Sequence, residues 1–266
     1  MSFIRKYPLA TFFILVYAIA WLVWGSKIAA TFGWISFQLP ENLAFFGISI
    51  SAVMISAIAD GKAGINRFFS RLMRWRVSGK WYAIAFLIPA GISLAAIGLH
   101  ILLGGNHQIA TIIPLQGILP LFMEQIIIHL LTEEPGWRGF ALPRFQENFT
   151  ALWASFILGL SWGIWHFPLF LIPGTPQASI PFVGFLLSTI AIAILMTWIY
   201  NHTKGSVLLA AFFHAAYNTT LVFFGTLWGD LRVFWFYVAV TWIAAIFVVI
   251  IEGAAHLDRK KTLTAT

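Results

Sequence analysis

Two adjacent carboxylates, Glu133 and Glu134, precede the run Pro135-Gly136-Trp137-Arg138. In a low dielectric, neighbouring carboxylates cannot both ionise cheaply unless a cation compensates one of them. Arg138, four residues after Glu134, is spaced to pair with it on a continuing helix, which leaves Glu133 as the acid free to take a proton. His166 follows Trp162 at helical spacing, and His214 and Asn218, also four apart, share one helix face. A carboxylate with an imidazole can activate water, and an imidazole beside an amide can donate hydrogen bonds to a developing oxyanion. Together these groups form the complement needed to hydrolyse an amide bond. Each alone has a plainer reading: His166 as a satisfied core residue, and His214 with Asn218 as hydrogen bonding between helices.

The elements that must position these groups are membrane spans. Of 266 residues, 60% are hydrophobic and 9% are charged, against about 25% charged in a soluble domain, so a soluble globule is excluded. Uncharged stretches run over 8–26, 42–59, 81–123, 148–203, 205–229 and 233–251, and a spanning helix needs about 20 apolar residues. The third is interrupted by Gly104-Gly105-Asn106 and the fourth by Pro173-Gly174-Thr175-Pro176, both turn signals, so each is read as two helices. The expected fold is an all-α polytopic bundle of about eight spans, near 8–24, 43–59, 81–103, 113–134, 151–172, 180–200, 206–223 and 232–251. All but Lys27 and Arg232 of the 16 Lys and Arg then fall on one side, which the positive-inside rule makes cytoplasmic, with both termini inside. That distribution accounts for the net charge of +7 without nucleic acid. No polar segment is long enough for a core of its own, so residues 1–266 are read as one membrane domain, and the apolar run after Arg5-Lys6 as an uncleaved first span. The chain has no cysteine, which removes thiolate metal sites and a cysteine nucleophile.

Ionisable side chains inside hydrocarbon cost at least about 2.5–3.5 kcal/mol and mark function. Beyond the groups above they are His100, expected to be interfacial or structural; Glu124, expected to line a cavity or bond a neighbouring helix; and His129, one turn before Glu133 on the same face. The basic segment 62–80, with Arg67, Arg71 and Arg74 among Phe68, Phe69, Leu72, Met73 and Trp75, has the pattern of an interfacial helix that binds anionic lipid headgroups. Phe140–Phe149 is expected along the cytoplasmic surface, with Asn148 or Thr150 capping the next helix.

Glu-Glu-x-x-x-Arg at 133–138, Trp-x-x-x-His at 162–166 and His-x-x-x-Asn at 214–218, each on its own helix, resemble the motifs of the CAAX prenyl proteases and bacteriocin-processing enzymes, the Abi or CPBP family. The resemblance covers roughly residues 60–250. It implies an intramembrane endopeptidase with a cytoplasm-facing cavity, acting on a membrane peptide or lipidated protein. By that resemblance Glu133 with His166 would activate water, His214 and Asn218 would form the oxyanion hole, and Glu134 and Arg138 would hold the first acid in place. Two departures are visible: Trp162 where Phe is common, a conservative change in a packing role, and Pro135-Gly136 in place of apolar residues.

This reading needs no cofactor. Zinc held by Glu133, His166 and His214 is the metal alternative, disfavoured because His214 has Asn218 at its side rather than a carboxylate to orient it as a ligand. A second difficulty is depth. At 1.5 Å per residue, His166 lies about 22 Å along the fifth helix from residue 151, whereas Glu133 sits at the end of the fourth span. For the two to meet, the fourth helix must run on past Pro135 to about residue 142, with the acids inside the bilayer. Other classes of function remain open: a proton-coupled small-solute transporter, since intramembrane acids and histidines also make proton relays, and a non-catalytic immunity or scaffold protein. Internal repeat halves of the kind many transporters carry are not visible. The basic-inside bias reads as a bacterial inner membrane, which would disfavour a prenylated substrate.

Overall fold

A computed structural model of the chain describes residues 3–106, 113–226 and 230–258. They form α1 (Phe3–Lys6), α2 (Pro8–Thr31), α3 (Asn42–Leu72), α4 (Gly79–Leu102), α5 (Ile118–Leu131), a π-helical segment (Pro135–Ala141), α6 (Leu142–Phe145), α7 (Ala151–Trp165), α8 (Phe182–His202), α9 (Val207–Phe223) and α10 (Leu231–Glu252), with no strand among the described residues. All eight expected spans coincide with helix. Six are long and apolar enough to cross a membrane outright: α2, α3, α4, α8, α10 and the stretch Ala151–Leu171 that begins with α7. The seventh is a bent pair, Leu115–Leu131 with Pro135–Phe145, broken by 44°; α9, at 17 residues, is short for a full crossing. The protein is an integral membrane protein. Both predicted turns form, with Gly104 and Gly174 at positive φ of 78° and 84°, a region glycine enters without steric cost.

The break in the bent pair follows from Pro135, which lacks the N–H that would bond the carbonyl of Leu131. The chain resumes as π-helix and continues through Phe145, so the two acids lie within the helical pair, at its bend. This is the continuation that the depth argument requires. It also corrects the expected surface course of Phe140–Phe149: Phe140, Ala141 and Leu142 are fully buried, and only Glu147–Thr150 are exposed. The π-helical segment passes through the aromatic core, where Phe140 packs on Phe12 with ring centroids 4.9 Å apart and Trp137 meets Trp165 at 6.1 Å. A side chain at Gly136 would run into Ile48 and Phe12. That contact is the physical reason for glycine where an apolar residue is the commoner choice.

The second motif is held by close packing of α7 on α8. A Cβ on Gly159 would stand 2.6 Å from the Ile190 Cα, and one on Gly163 would stand 2.6 Å from the Thr189 hydroxyl oxygen. In membranes, where apolar burial does not drive helix association, such small-residue seams let backbones approach and gain dispersion contacts. Thr150, not Asn148, caps α7, its Oγ1 accepting from the Trp153 N–H at 3.3 Å.

The basic segment departs from the second span at Gly61, whose φ of 63° and ψ of −153° break α3 internally. Beyond it Arg71 donates to the carbonyl of Gly139 at 3.0 Å, tying this helix to the π-helical segment. His100 is buried near Asp230, at 3.9 Å, which agrees with a structural role. Glu124 is exposed and does not line the cavity described below, so the cavity-lining expectation is not met: successive residues point about 100° apart on a helix, which turns it away from the face of Gln125.

Candidate active site

Gln125, His129 and Glu133 follow one another at four-residue intervals down one face of α5 and into its break. With Trp162 of α7, His166 at the C-cap of α7, and His214 and Asn218 of α9, they line one cavity of about 560 Å³. The structure thus brings Glu133, His166, His214 and Asn218 together, as the motifs require. Glu134 and Arg138 lie behind it, fully buried.

The two acids have different surroundings. Glu134 Oε1 accepts from Arg138 Nη1 at 2.9 Å and from His214 Nδ1 at 2.8 Å. Glu133 Oε2 accepts from the indole N–H of Trp162 at 2.8 Å, and its Oε1 lies 3.6 Å from His129 Nδ1. Trp162 is therefore more than a packing residue, since it supplies the hydrogen bond that orients Glu133. The pairing of Arg138 with Glu134 is as its spacing predicted. The bond from His214 to Glu134 is not, and it removes the sequence-based argument against a metal: a carboxylate does orient His214.

On the other side of the cavity, the Asn218 amide nitrogen lies 2.9 Å from His129 Nε2 and donates to Gln125 Oε1 at 3.2 Å, and His129 Nε2 and Gln125 Oε1 are 3.0 Å apart. The other ring nitrogen, His129 Nδ1, is on the side facing Glu133. The His129 ring stacks on that of His214 with centroids 3.5 Å apart and planes 8° from parallel. His166 Nδ1 donates to the Trp162 carbonyl at 2.9 Å, so the neutral ring offers its Nε2 lone pair. Gln125, and the tie of His129 to both motif histidine and motif amide, are what the sequence reading missed; the i, i+4 series 125–129–133 is the signal that could have found them.

For a metal, the donor atoms that converge are those of His129, Glu133 and His214, all within 4.8 Å of one another, and His166 stands outside this group. The two imidazoles lie stacked, 3.5 Å apart and 8° from parallel, and a Zn–N bond runs along a ring's in-plane lone pair, so one ring would have to turn for both to hold one ion.

Residues 114–220, which hold all three motifs, match the family described as Type II CAAX prenyl endopeptidase Rce1-like. The chain is also 26% identical over 229 residues to a protein named CAAX prenyl protease 2 from Methanococcus maripaludis, covering 80% of this chain and 83% of that one. Over the core that carries its motifs, the chain is thus similar to the CAAX prenyl endopeptidases, the resemblance its three motifs carry, and this likeness supports an intramembrane endopeptidase.

Proposed function

We propose that this protein is an intramembrane endopeptidase in which Glu133 is the general base that draws a proton from water. The observation that carries the reading is the split between the two acids. Glu134 is neutralised by Arg138 and committed to His214, whereas Glu133 faces the cavity with a neutral indole as its close partner. A base that is free to accept a proton within reach of a bound water is what this chemistry needs. His166 offers its Nε2 to the same water. His214, already donating from Nδ1, presents a second N–H only as an imidazolium, and the two carboxylates, Glu133 and Glu134, then balance its charge together with that of Arg138. That N–H and the Asn218 amide then stabilise the oxyanion of the tetrahedral intermediate, and the proton on Glu133 passes to the leaving amine. No step uses a metal.

The cavity walls suggest the substrate. Phe45, Phe46, Ile127, Ile128 and Leu131 join the polar groups in lining it, and Phe46, Ile127, Ile128 and Leu131 are also exposed on the outer surfaces of α3 and α5. A cavity whose apolar rim faces the lipid suits a peptide held at the membrane by a lipid anchor. A prenylated C-terminal peptide, the substrate class in the relative's name, is the choice we make. The cavity is lined by Asn42 and Phe45 at the start of α3 and by Gln177 before α8. That is the end of the bundle opposite Arg5, which bonds Ile58, and Ala255, which bonds Ala151, so the expected arrangement of cavity opening and termini on one side does not fit this packing. The test is cleavage of a farnesylated CAAX reporter peptide by purified protein in vesicles. Wild type should cleave it, Glu133→Gln should not, and a zinc chelator should leave the rate unchanged. Equal turnover by Glu133→Gln removes the assignment; loss with chelator and recovery with zinc restores the metal alternative.

A further inference from the structure

At the end of the bundle that carries the N-terminus is a second cavity, of about 500 Å³, that includes none of the motif residues. Its charged lining is Lys6 before α2, Asp60, Arg67 and Arg71 of α3, and Arg144 and Glu147 after the π-helical segment, four cations against two carboxylates. Asp60 is already taken, lying 3.6 Å from Arg67 and in direct contact with Arg144. Positive charge is therefore in excess around a concave space, the condition for holding an anion.

Two glycines build this arrangement. Gly61 adopts a backbone conformation, φ 63° and ψ −153°, that is essentially reserved for glycine, and it turns the arginine-bearing part of α3 back towards α1. Gly64 packs so closely that a Cβ would collide with Asp60. On the same stretch of chain Phe69, Met73 and Trp75 are exposed, so apolar surface and arginines are presented together, as in a helix lying at the membrane–water boundary. The cavity therefore lies beside a segment with the residue pattern of the membrane–water boundary.

We propose that this cavity binds the phosphate of an anionic glycerophospholipid. Its effect reaches the candidate active site through shared donors. Arg71 holds the Gly139 carbonyl at 3.0 Å and Arg144 holds the Phe140 carbonyl at 3.0 Å, and both carbonyls belong to the π-helical segment that carries Arg138. A phosphate seated here balances the charge of the cations that grip that segment from behind.

The proposal does not depend on the protease reading and is tested by lipid retention. Full-length protein is placed in phosphatidylcholine nanodiscs doped with phosphatidylglycerol, and the phosphatidylglycerol it keeps is counted by native mass spectrometry. Lys6→Gln and Arg67→Gln, both at accessible side chains, should each lower retention about fivefold, the effect of losing one cation from an anionic-lipid contact. Lys204→Gln, exposed but outside both the cavity and the basic segment, should leave it unchanged. Undiminished retention in both cavity variants, or an equal loss with Lys204→Gln, overturns the site. Release of the lipid by millimolar inorganic phosphate would identify a soluble anion as the occupant and defeat the lipid assignment.

Discussion

The front and the back of the polar site differ more than two adjacent residues would suggest. At the back, Glu134 accepts from both a guanidinium and an imidazole through one oxygen and is sealed from the cavity. At the front, Glu133 borders the cavity and takes its close hydrogen bond from a neutral indole. Successive helical residues point about 100° apart, and the break before Pro135 lets one acid face α7 while the other faces α9 and the arginine. The lesson is a division of labour: the acid paired with a guanidinium fixes geometry, and the one without a guanidinium partner faces the cavity.

The largest effect that would sharpen this contrast is at the front. Glu133→Gln keeps the shape and removes the base, so turnover of a peptide substrate should fall about 10⁴-fold, the top of the range for a positioned acid–base group, with the melting temperature little changed. At the back the order reverses. Arg138→Met leaves Glu134 without its guanidinium, and thermal unfolding in detergent should report a destabilisation of about 3–5 kcal/mol. If Arg138→Met were as stable as wild type, the back would not be the rigid half. A smaller effect is expected for Asn218→Ala, where one oxyanion donor is lost and kcat should drop about 10²–10³-fold with KM nearly constant. A change confined to KM would make Asn218 a substrate contact instead. Smallest is Trp162→Phe, which keeps a ring but deletes the donor to Glu133; a charged hydrogen bond of about 1.5–3 kcal/mol corresponds to roughly ten- to hundredfold in rate, read from single-turnover cleavage.

Much of this site was legible in the residue order because its spacings are local. The pairs Glu134–Arg138, Trp162–His166 and His214–Asn218 each lie one turn apart, and all fall on shared faces whatever the rest of the molecule does. The turns at Gly104 and Gly174, the break at Pro135 and the cap at Thr150 follow from residue chemistry of the same short range. The presence of spans follows from composition, since no soluble core could tolerate so few charges. Pattern alone had less to say about Phe140–Leu142. Arg144 and Glu147 made that stretch look superficial, yet its apolar residues pass between α2 and α3.

What no spacing on one helix could supply is the rotation of one helix against another. In a soluble bundle the apolar stripe marks the inward face, but here lipid-facing and core-facing sides are both apolar, so that marker is largely absent. The seam at Gly159 and Gly163, and the room left at Gly136, set those rotations through close contact. Hence His214 meets Glu134 across 80 residues of chain, His129 lies flat on His214, and Glu124 turns away while its neighbour Gln125 joins Asn218. Composition and one-turn spacing named the chemical groups and the membrane that holds them; their pairing across helices was left to packing, because dispersion contacts between backbones depend on shape in three dimensions and leave no period in the chain.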